Sequence, residues 1–329
     1  MSDVRSLDRR ILAALQVDGR ASWAKIAGVL GEPERTVARR GADLIGSGLV
    51  RVRALPNPRK IGRTEQFVLK ASCSPGTAGI AAAALARRTD SLFTYLLTGS
   101  ADCAAEISVP ASKVAELTVR EIGTIPGITS AATYPVLTHY RTMHQWDPEI
   151  LNEEEKTQLG GAAYSSAPTD LGGSDALGKE DRILVQALMQ DGRASYENLG
   201  RASGLSVQTV QRRIERMRQD GTLYLRAVFE PALVGLPVEA LLWVRVPFPH
   251  LESVASLVLE SSAVRYAAAL AGDFQLVVDT VFESRSALYD YLRNSDWIAR
   301  TQSLEPALVL EALKRSGTLA AHFGDSQGF

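Results

Sequence analysis

Glutamine and arginine side chains line one face of a predicted helix in two segments of the chain. In the later segment this face, at positions i, i+3, i+4 and i+7, consists of Gln208, Gln211, Arg212 and Glu215. In the earlier segment the corresponding face consists of Arg35, Ala38, Arg39 and Ala42. Glutamine pairs with the edge of adenine, and arginine pairs with guanine or with phosphate. These faces therefore suit the major groove of double-stranded DNA, and a merely solvated helix face is the alternative interpretation.

A tandem duplication relates the two segments. The sequence Asp-Gly-Arg-Ala-Ser occurs at residues 18–22 and again at residues 191–195, an offset of 173 residues. Further residues repeat at the same offset: Asp8 and Asp181, Thr36 and Thr209, Arg40 and Arg213, and Gly48 and Gly221. One chain therefore carries two copies of one architecture.

Each copy begins with a pattern of three short helices. In the first copy we predict helices over residues 7–16, 23–30 and 33–47, with Ser22 as the N-cap of the second and Gly48 ending the third. Three short helices with a tight turn before the third are typical of a helix-turn-helix (HTH). The third helix of each copy would then be the recognition helix.

The predicted DNA contacts lie on these third helices. They are Ser206, Gln208, Thr209, Gln211, Arg212 and Arg213 in the second copy, and Arg35, Thr36, Arg39 and Arg40 in the first. We expect the second copy to be the principal reader, because Ser206 can cap its helix where the first copy has Pro33. In addition, Ile214 is expected to fill a core position that Gly41 leaves empty.

A second pattern follows in each copy. After a short β segment, at residues 50–55 and 223–229, that would be a wing or a hinge strand, the order is β-α-β-β-α-β. The predicted fold class is α+β, with two repeats of a winged-helix-like HTH domain followed by a ferredoxin-like βαββαβ sandwich domain. The predicted domains are residues 1–55 and 179–229 for the HTH domains, 56–141 and 230–315 for the ferredoxin-like ligand-binding and dimerisation domains, 142–178 for an acidic Gly/Ser-containing linker, and 316–329 for a tail.

The charge of the chain is unevenly distributed. The 329 residues carry a formal net charge of -1, but residues 1–53 carry 10 basic and 6 acidic side chains, and residues 176–228 carry 9 and 6. Residues 142–178 hold one lysine and 7 acidic side chains. The HTH segments are therefore basic, as a nucleic-acid partner requires. The sequence has no transmembrane-length apolar run and no signal-peptide pattern, so we expect a cytoplasmic protein without a membrane partner.

The arrangement resembles the Lrp/AsnC family of transcriptional regulators, over residues 7–141 and 180–315. The most specific segments are the repeated Asp-Gly-Arg-Ala-Ser and Leu-Ser-Val-Gln-Thr-Val-Gln-Arg-Arg-Ile at residues 205–214. The resemblance implies operator DNA and a small effector, commonly an amino acid, as partners, with the α/β domain used for dimerisation and further assembly. Since two copies lie in one chain, we expect a homo-oligomer built from an intramolecular pseudo-dimer, whose operator need not be palindromic.

The resemblance also implies an effector site at the turn between the second and third strands of the α/β domain, where the family carries Gly-Asp-Phe/Tyr-Asp. The second copy has Gly272-Asp273-Phe274-Gln275, and the first has Gly99-Ser100-Ala101-Asp102. The candidate effector residues are therefore Gly272, Asp273, Phe274, Gly99 and Asp102. A tight hairpin turn is the alternative role for the two glycines, and turn capping is the alternative for the two aspartates.

Two other functions remain open. The fused architecture also resembles siroheme decarboxylases, for which His139, Tyr140, Arg141 and His144 would be the candidate residues. A third possibility is an effector-binding assembly protein whose DNA readers have decayed, since Glu32 and Glu34 would face phosphates in the first copy. No phosphate loop, metal-spaced cluster or nucleophile motif is visible, so we expect a non-enzymatic protein without a metal or other cofactor.

Overall fold

The structure, a computed structural model, describes residues 6–160 and 177–320. Its helices are α1 (Ser6–Val17), α2 (Trp23–Leu30), α3 (Glu34–Gly46), α4 (Ala78–Arg87), α5 (residues 111–124, irregular, with a π turn), α6 (Glu153–Leu159), α7 (Lys179–Gln190), α8 (Tyr196–Ser203), α9 (Val207–Gln219), α10 (Phe248–Leu259) and α11 (Arg285–Asn294). Its strands are β1 (Val50–Pro56), β2 (Glu65–Cys73), β3 (Ser91–Leu97), β4 (Cys103–Val109), β5 (Ile128–Arg141), β6 (Leu223–Phe229), β7 (Val238–Arg245), β8 (Val264–Leu270), β9 (Leu276–Phe282), β10 (Ser303–Arg315) and β11 (Thr318–Leu319). Within the described ranges, no helix is long and apolar enough to cross a membrane.

The fold groups equivalent segments of the two copies together. One compact unit contains both HTH segments, residues 6–62 and 177–234, together with residues 147–160. The other contains both βαββαβ segments, residues 63–146 and 235–320. Each unit is therefore a pair of repeats rather than one repeat.

Local sequence signals fix the helices of the HTH unit. The hydroxyl of Ser22 accepts a hydrogen bond from the backbone N–H of Lys25 (3.1 Å), and Ser195 caps α8 in the same way through Asn198 (3.2 Å). Gly31 ends α2 with a φ of 67°, a left-handed conformation that favours glycine. The buried side chains repeat at helical spacing, so each three-helix motif has its own small core.

The short strand after each HTH pairs with its counterpart in the other copy. β1 and β6 form an antiparallel ribbon in which Val50 lies opposite Phe229, Arg53 opposite Arg226, and Pro56 opposite Leu223. The sequence predicted a wing or a hinge strand here. The ribbon instead uses the two edge strands to satisfy each other's backbone hydrogen bonds.

The βαββαβ segments have the predicted element order. The strand order is β3-β4-β2-β5 in the first copy and β8-β9-β7-β10 in the second, which is the ferredoxin-like arrangement. Helices α4 and α5 belong to the first copy, and α10 and α11 belong to the second. The fold class is therefore the α+β duplication that the sequence predicted.

The long last strand of each copy joins the two sheets. β5 pairs with β2 up to Pro135 and then with β8 from Val136 onwards. β10 pairs with β7 up to Leu308 and then with β3 from Val309 onwards. Since the sheet closes on itself, its inner face forms a shared core that includes Tyr95, Trp243 and Phe274.

Some residues of the predicted linker and tail form helix or strand. Residues 153–159 form α6, which begins with an Asn152–Glu155 capping box and buries Leu159 completely. Residues 318–319 form β11 and pair with β10. These parts of the predicted linker and tail are ordered because apolar side chains or an open strand edge are available to them. The remaining parts, residues 161–176 and 321–329, lie outside the described residues.

Candidate functional site

The second recognition helix, α9, begins at the serine that the sequence identified as its cap. The hydroxyl of Ser206 accepts a hydrogen bond from the backbone N–H of Thr209 (3.3 Å) and lies 2.8 Å from the Thr209 hydroxyl. Gln208, Gln211 and Arg212 are exposed along the helix. Their side chains form no hydrogen bond or ion pair with the part of the chain that the structure describes. The polar face is therefore available to a ligand such as DNA.

The first recognition helix, α3, begins without a side-chain cap, because Pro33 occupies the N-cap position. Arg35 is exposed, and Thr36 is half-buried. The guanidinium of Arg39 lies 3.5 Å from the carboxylate of Asp43, and both side chains are about two-thirds exposed, at 66% and 69%. This ion pair is weak at such exposure and leaves Arg39 able to exchange partners.

The last two predicted DNA contacts, Arg40 and Arg213, are held inside their own HTH motifs. Arg40 binds both carboxylate oxygens of Asp8, at 2.6 and 2.8 Å. Arg213 binds one oxygen of Asp181 at 2.9 Å, and Arg216 binds the other at 2.8 Å. The hydrogen bond that Arg40 donates to Asp8 raises the pKa of Arg40, and the hydrogen bond that Arg213 donates to Asp181 raises the pKa of Arg213. Both arginines tie the recognition helix to the first helix of the motif.

The position of Gly41 is occupied by a neighbouring side chain. A Cβ atom on Gly41 would lie 2.4 Å from the indole ring of Trp23. In the second copy the equivalent residues are Ile214 and Tyr196. The expectation of an empty core position was therefore wrong, because the larger Trp23 compensates for the missing side chain of Gly41.

The repeated Asp-Gly-Arg-Ala-Ser motif joins the two HTH motifs to each other. Arg20 donates hydrogen bonds to the carbonyl oxygens of Gly192 (2.8 Å) and Ala194 (3.0 Å). Arg193 donates reciprocally to those of Gly19 (2.7 Å) and Ala21 (3.1 Å). Each copy of the pentapeptide therefore binds the backbone of the other copy.

Aromatic side chains complete this junction. The guanidinium of Arg20 stacks 4.5 Å from the ring centre of Tyr196, and that of Arg193 stacks 4.4 Å from Trp23. Burial, followed by the nearby positive charge of Arg20, lowers the pKa of Arg193. Sequence reasoning found the repeat but assigned these arginines no role. The signal was present in the identical pentapeptides, which suit a two-fold contact.

In the turn that carries Gly272, Asp273 and Phe274, the first and last residues pack against neighbouring aromatic rings. Gly272 has a φ of 137°, and a Cβ atom there would lie 2.8 Å from the ring of Tyr134. Phe274 is buried and packs against Tyr134 and Trp243. Asp273 is exposed. Of these three residues, Asp273 is therefore the one whose side chain faces solvent.

The equivalent turn of the first copy is closed by its own aspartate. A carboxylate oxygen of Asp102 accepts a hydrogen bond from the backbone N–H of Cys73 at 2.7 Å. Gly99 has a φ of 95°, the left-handed conformation that a tight turn favours. These contacts are those expected of a capped hairpin.

Charged side chains surround Phe274, and sequence reasoning missed them. The ammonium of Lys70 lies 4.5 Å from the centre of the Phe274 ring and 2.7 Å from the carboxylate of Glu305. The guanidinium of Arg245 lies 4.9 Å from the same ring, and Ser100 donates to Glu305 at 2.9 Å. The hydrogen bond from Lys70 lowers the pKa of Glu305. Residues from both copies thus form one polar cluster beside the second-copy turn.

The four candidate residues for tetrapyrrole chemistry have separate contacts. His139 lies 3.2 Å from Glu106, and the hydroxyl of Tyr140 donates to Glu252 at 2.8 Å. Arg141 donates to the carbonyl oxygens of Leu259, Ser261 and Val264, and His144 lies 2.7 Å from the hydroxyl of Thr142. In the described part of the chain, no group of three or more His, Cys, Asp or Glu side chains could hold a metal ion.

Comparison with known proteins relates both copies to DNA-binding regulators. The model of the AsnC-type helix-turn-helix domain matches residues 6–45 and again residues 179–218. An HTH-type transcriptional regulator of Pyrococcus furiosus is 34% identical over 129 residues, covering 39% of this chain and 87% of that protein. An HTH-type transcriptional regulator of Pyrococcus abyssi is 30% identical over 138 residues, covering 41% and 91%. Each relative therefore corresponds in length to about one repeat.

The whole chain resembles a solved structure of an enzyme. The crystal structure of the siroheme decarboxylase NirDL in co-complex with an iron-uroporphyrin III analogue aligns with 97% of this chain and 96% of that chain. The TM-score is 0.62 and the sequence identity is 11%, a likeness that shows the fold. The expectation of a non-enzymatic protein is contradicted by this match, because the same scaffold carries an enzyme. The two Pyrococcus relatives are named as HTH-type transcriptional regulators, and the chain belongs to the Lrp/AsnC family of helix-turn-helix transcriptional regulators.

Proposed function

We propose that the protein regulates transcription by binding double-stranded operator DNA in a sequence-specific manner. The observation that carries this proposal is the exposed face of α9, where Gln208, Gln211 and Arg212 project beyond a helix start capped by Ser206. The first turn of a recognition helix contacts base edges in the major groove, and its N-terminus favours phosphate. Glutamine and arginine at these positions supply hydrogen bonds to adenine and guanine.

The two recognition helices present different faces to DNA. The second offers Gln208, Gln211 and Arg212, whereas the first offers Arg35 and Arg39. Arginine without a neighbouring amide donor suits phosphate or guanine, so the two helices favour different half-sites. The reciprocal contacts of Arg20 and Arg193 join these two different HTH motifs to each other within one chain. The operator therefore need not be palindromic.

We propose in addition that a small effector binds beside the turn of Asp273. Lys70, Arg245 and Glu305 offer both signs of charge, as an amino acid or a related zwitterionic metabolite requires. Trp243 supports this proposal, because its buried indole N–H has no hydrogen-bond partner among the described residues. Further copies of the chain are proposed to assemble through the α/β units.

A mobility-shift titration tests the regulatory function. The protein is mixed with fragments of its own promoter region and of neighbouring promoters, with and without a panel of amino acids. We expect a discrete shift of at least one fragment, and we expect the affinity to fall steeply with salt because phosphate contacts release counterions. Failure of every fragment at low salt, under all effector conditions, would refute the proposal.

A further inference from the structure

An acidic segment folds against the first HTH motif. Residues 147–156 contain five acidic side chains and one lysine. α6 lies in this segment and packs against α1 and α2 within the HTH unit. Leu151 and Leu159 are buried, so the segment is anchored rather than merely adjacent.

Two basic residues of the first HTH motif bind this segment. Arg10 donates to a carboxylate oxygen of Glu155 at 2.5 Å, and Lys25 donates to the carbonyl oxygen of Leu159 at 3.1 Å. The other carboxylate oxygen of Glu155 accepts from the backbone N–H of Asn152 at 2.9 Å. Glu155 therefore both caps α6 and neutralises a cation of the first HTH motif.

The second HTH motif lacks these cations. At the offset of 173 residues, Ile183 replaces Arg10 and Asn198 replaces Lys25. Both basic residues are thus specific to the copy that contacts the acidic segment. A purely structural contact would need only the buried leucines. The added pairing of charge indicates that electrostatic neutralisation is part of the role of the segment.

The position of Lys25 connects this contact with DNA. It lies in the first turn of α2, the HTH helix that crosses the phosphate backbone when the recognition helix enters the major groove. Lysine at such a position binds phosphate through its charge. Its ammonium instead donates to the carbonyl oxygen of Leu159, at the end of an acidic helix.

We propose that the acidic segment, residues 147–160, is an intramolecular competitor that occupies phosphate-binding cations of the first HTH motif. This inference rests on the proposed DNA-binding function. It explains why the first HTH motif would bind DNA more weakly than the second. The segment lowers the affinity of the first motif for the DNA backbone and leaves the second motif to lead recognition. Release of the segment adds phosphate contacts and strengthens binding.

Matched glutamine variants test the competition. Glu155→Gln removes the charge that faces Arg10 but keeps an oxygen that can complete the capping box. Glu154→Gln removes one charge from the neighbouring position, where the side chain accepts from Gln158 (3.2 Å) rather than from an HTH residue. A Glu155→Gln/Leu159→Ala double variant also weakens the anchor. Circular dichroism melts establish that all three variants remain folded.

The readout is the affinity for a promoter fragment and for a mixed-sequence duplex over a range of salt concentrations. We expect Glu155→Gln and the double variant to bind both duplexes more tightly than Glu154→Gln. The slope of log affinity against log salt should steepen by about 1 for Glu155→Gln, which frees Arg10, and by about 2 for the double variant, which also loosens the segment from Lys25, because each freed phosphate contact contributes about 0.9.

The outcomes separate the two proposals. If the wild-type chain shifts its promoter but Glu155→Gln and Glu154→Gln give equal affinities and slopes, the competition is refuted while the regulatory function stands. If the wild-type chain shifts no promoter but Glu155→Gln gains affinity for duplex DNA, the competition stands and the regulatory proposal loses its support. If no variant binds any duplex at low salt, both proposals are overturned.

Discussion

At the scale of single residues, the two recognition helices differ in which cations remain available. Arg212 is exposed and has no side-chain partner in the described residues, whereas Arg39 lies 3.5 Å from Asp43. Arg40 and Arg213 are tied to Asp8 and Asp181. Helical spacing placed Arg39 and Arg212 on the outer face, and the repeat singled out Arg40 and Arg213. Neither signal reveals an acidic partner on another helix.

Arg212→Ala is expected to weaken operator binding more than Arg39→Ala. An arginine that reads a base edge contributes about 1–3 kcal/mol of discrimination, whereas a partly neutralised arginine at a phosphate contributes less. Arg285→Ala, an exposed position on α11, controls for the loss of one positive charge. The measurement is a binding isotherm on one operator fragment. Equal losses for Arg212→Ala and Arg39→Ala would contradict the asymmetry between the copies.

At the scale of elements, the ribbon of β1 and β6 and the two Asp-Gly-Arg-Ala-Ser turns form one junction. The backbone N–H of Gly19 donates to the carbonyl of Leu225 at 2.8 Å, and that of Gly192 donates to Val52 at 2.9 Å. Each turn therefore lies directly on the ribbon. A glycine is required at both positions, since each backbone approaches too closely for a side chain.

Gly19→Ala is expected to destabilise the HTH unit. The added Cβ atom would lie 2.7 Å from a methyl group of Val52 and 2.8 Å from the carbonyl oxygen of Leu225, so the backbone must shift. Forced overpacking of this kind costs about 1–3 kcal/mol. Gly28→Ala is the matched control, because nothing lies within 4 Å of its Cβ position and alanine favours a helix. Thermal melts that show equal shifts for both variants would argue against the junction.

Sequence patterns predicted the elements well where the signals were local. Ser22 and Ser206 cap the helices that they were expected to cap, and β6 has the predicted bounds, residues 223–229. The partners of the elements were harder to predict. The residues of β1 indicate a strand but do not specify β6 as its neighbour. Likewise, the position of Gly41 on the inner side of its helix does not reveal that the ring of Trp23 packs there. Such contacts depend on tertiary packing between distant segments.

At the scale of the whole molecule, duplication allows each pair of repeats to become asymmetric. In the closed sheet, Tyr95 of the first copy donates to Asp279 of the second at 3.0 Å. Glu239 pairs with both Arg265 and Arg315 in the same buried core. Two identical subunits related by symmetry would make the Tyr95–Asp279 contact twice. In this chain the equivalent residues are Ala268 and Glu106, so the hydrogen bond cannot be repeated.

The stability of the α/β unit is expected to fall as the pH rises above the ordinary carboxyl range. Burial, reinforced by the carboxylate of Glu239, raises the pKa of Asp279. The folded chain therefore keeps a proton that the unfolded chain releases, and the stabilisation, complete below about pH 4, is lost as the pH rises through the folded pKa. Asp279→Asn should remove this decline because the asparagine amide does not titrate, and its oxygen can still accept from Tyr95.

The measurement is the melting temperature of the wild-type chain and of Asp279→Asn, compared at about pH 5 and about pH 8, within the range over which the stabilisation declines. Asp273→Asn, which removes an exposed carboxylate, is the control. A decline of the same size in the wild-type chain and in Asp279→Asn would show that another group controls the pH dependence.

We propose that the chain finds specific genomic sites through its second recognition helix. Genome-wide immunoprecipitation of the wild-type chain and of Arg212→Ala, expressed at equal levels, tests this claim most directly. We predict a limited set of sharply enriched sites in promoter regions for the wild-type chain and the loss of most of them for Arg212→Ala. An absence of enriched sites for the wild-type chain, or an unchanged set for Arg212→Ala, would contradict the account.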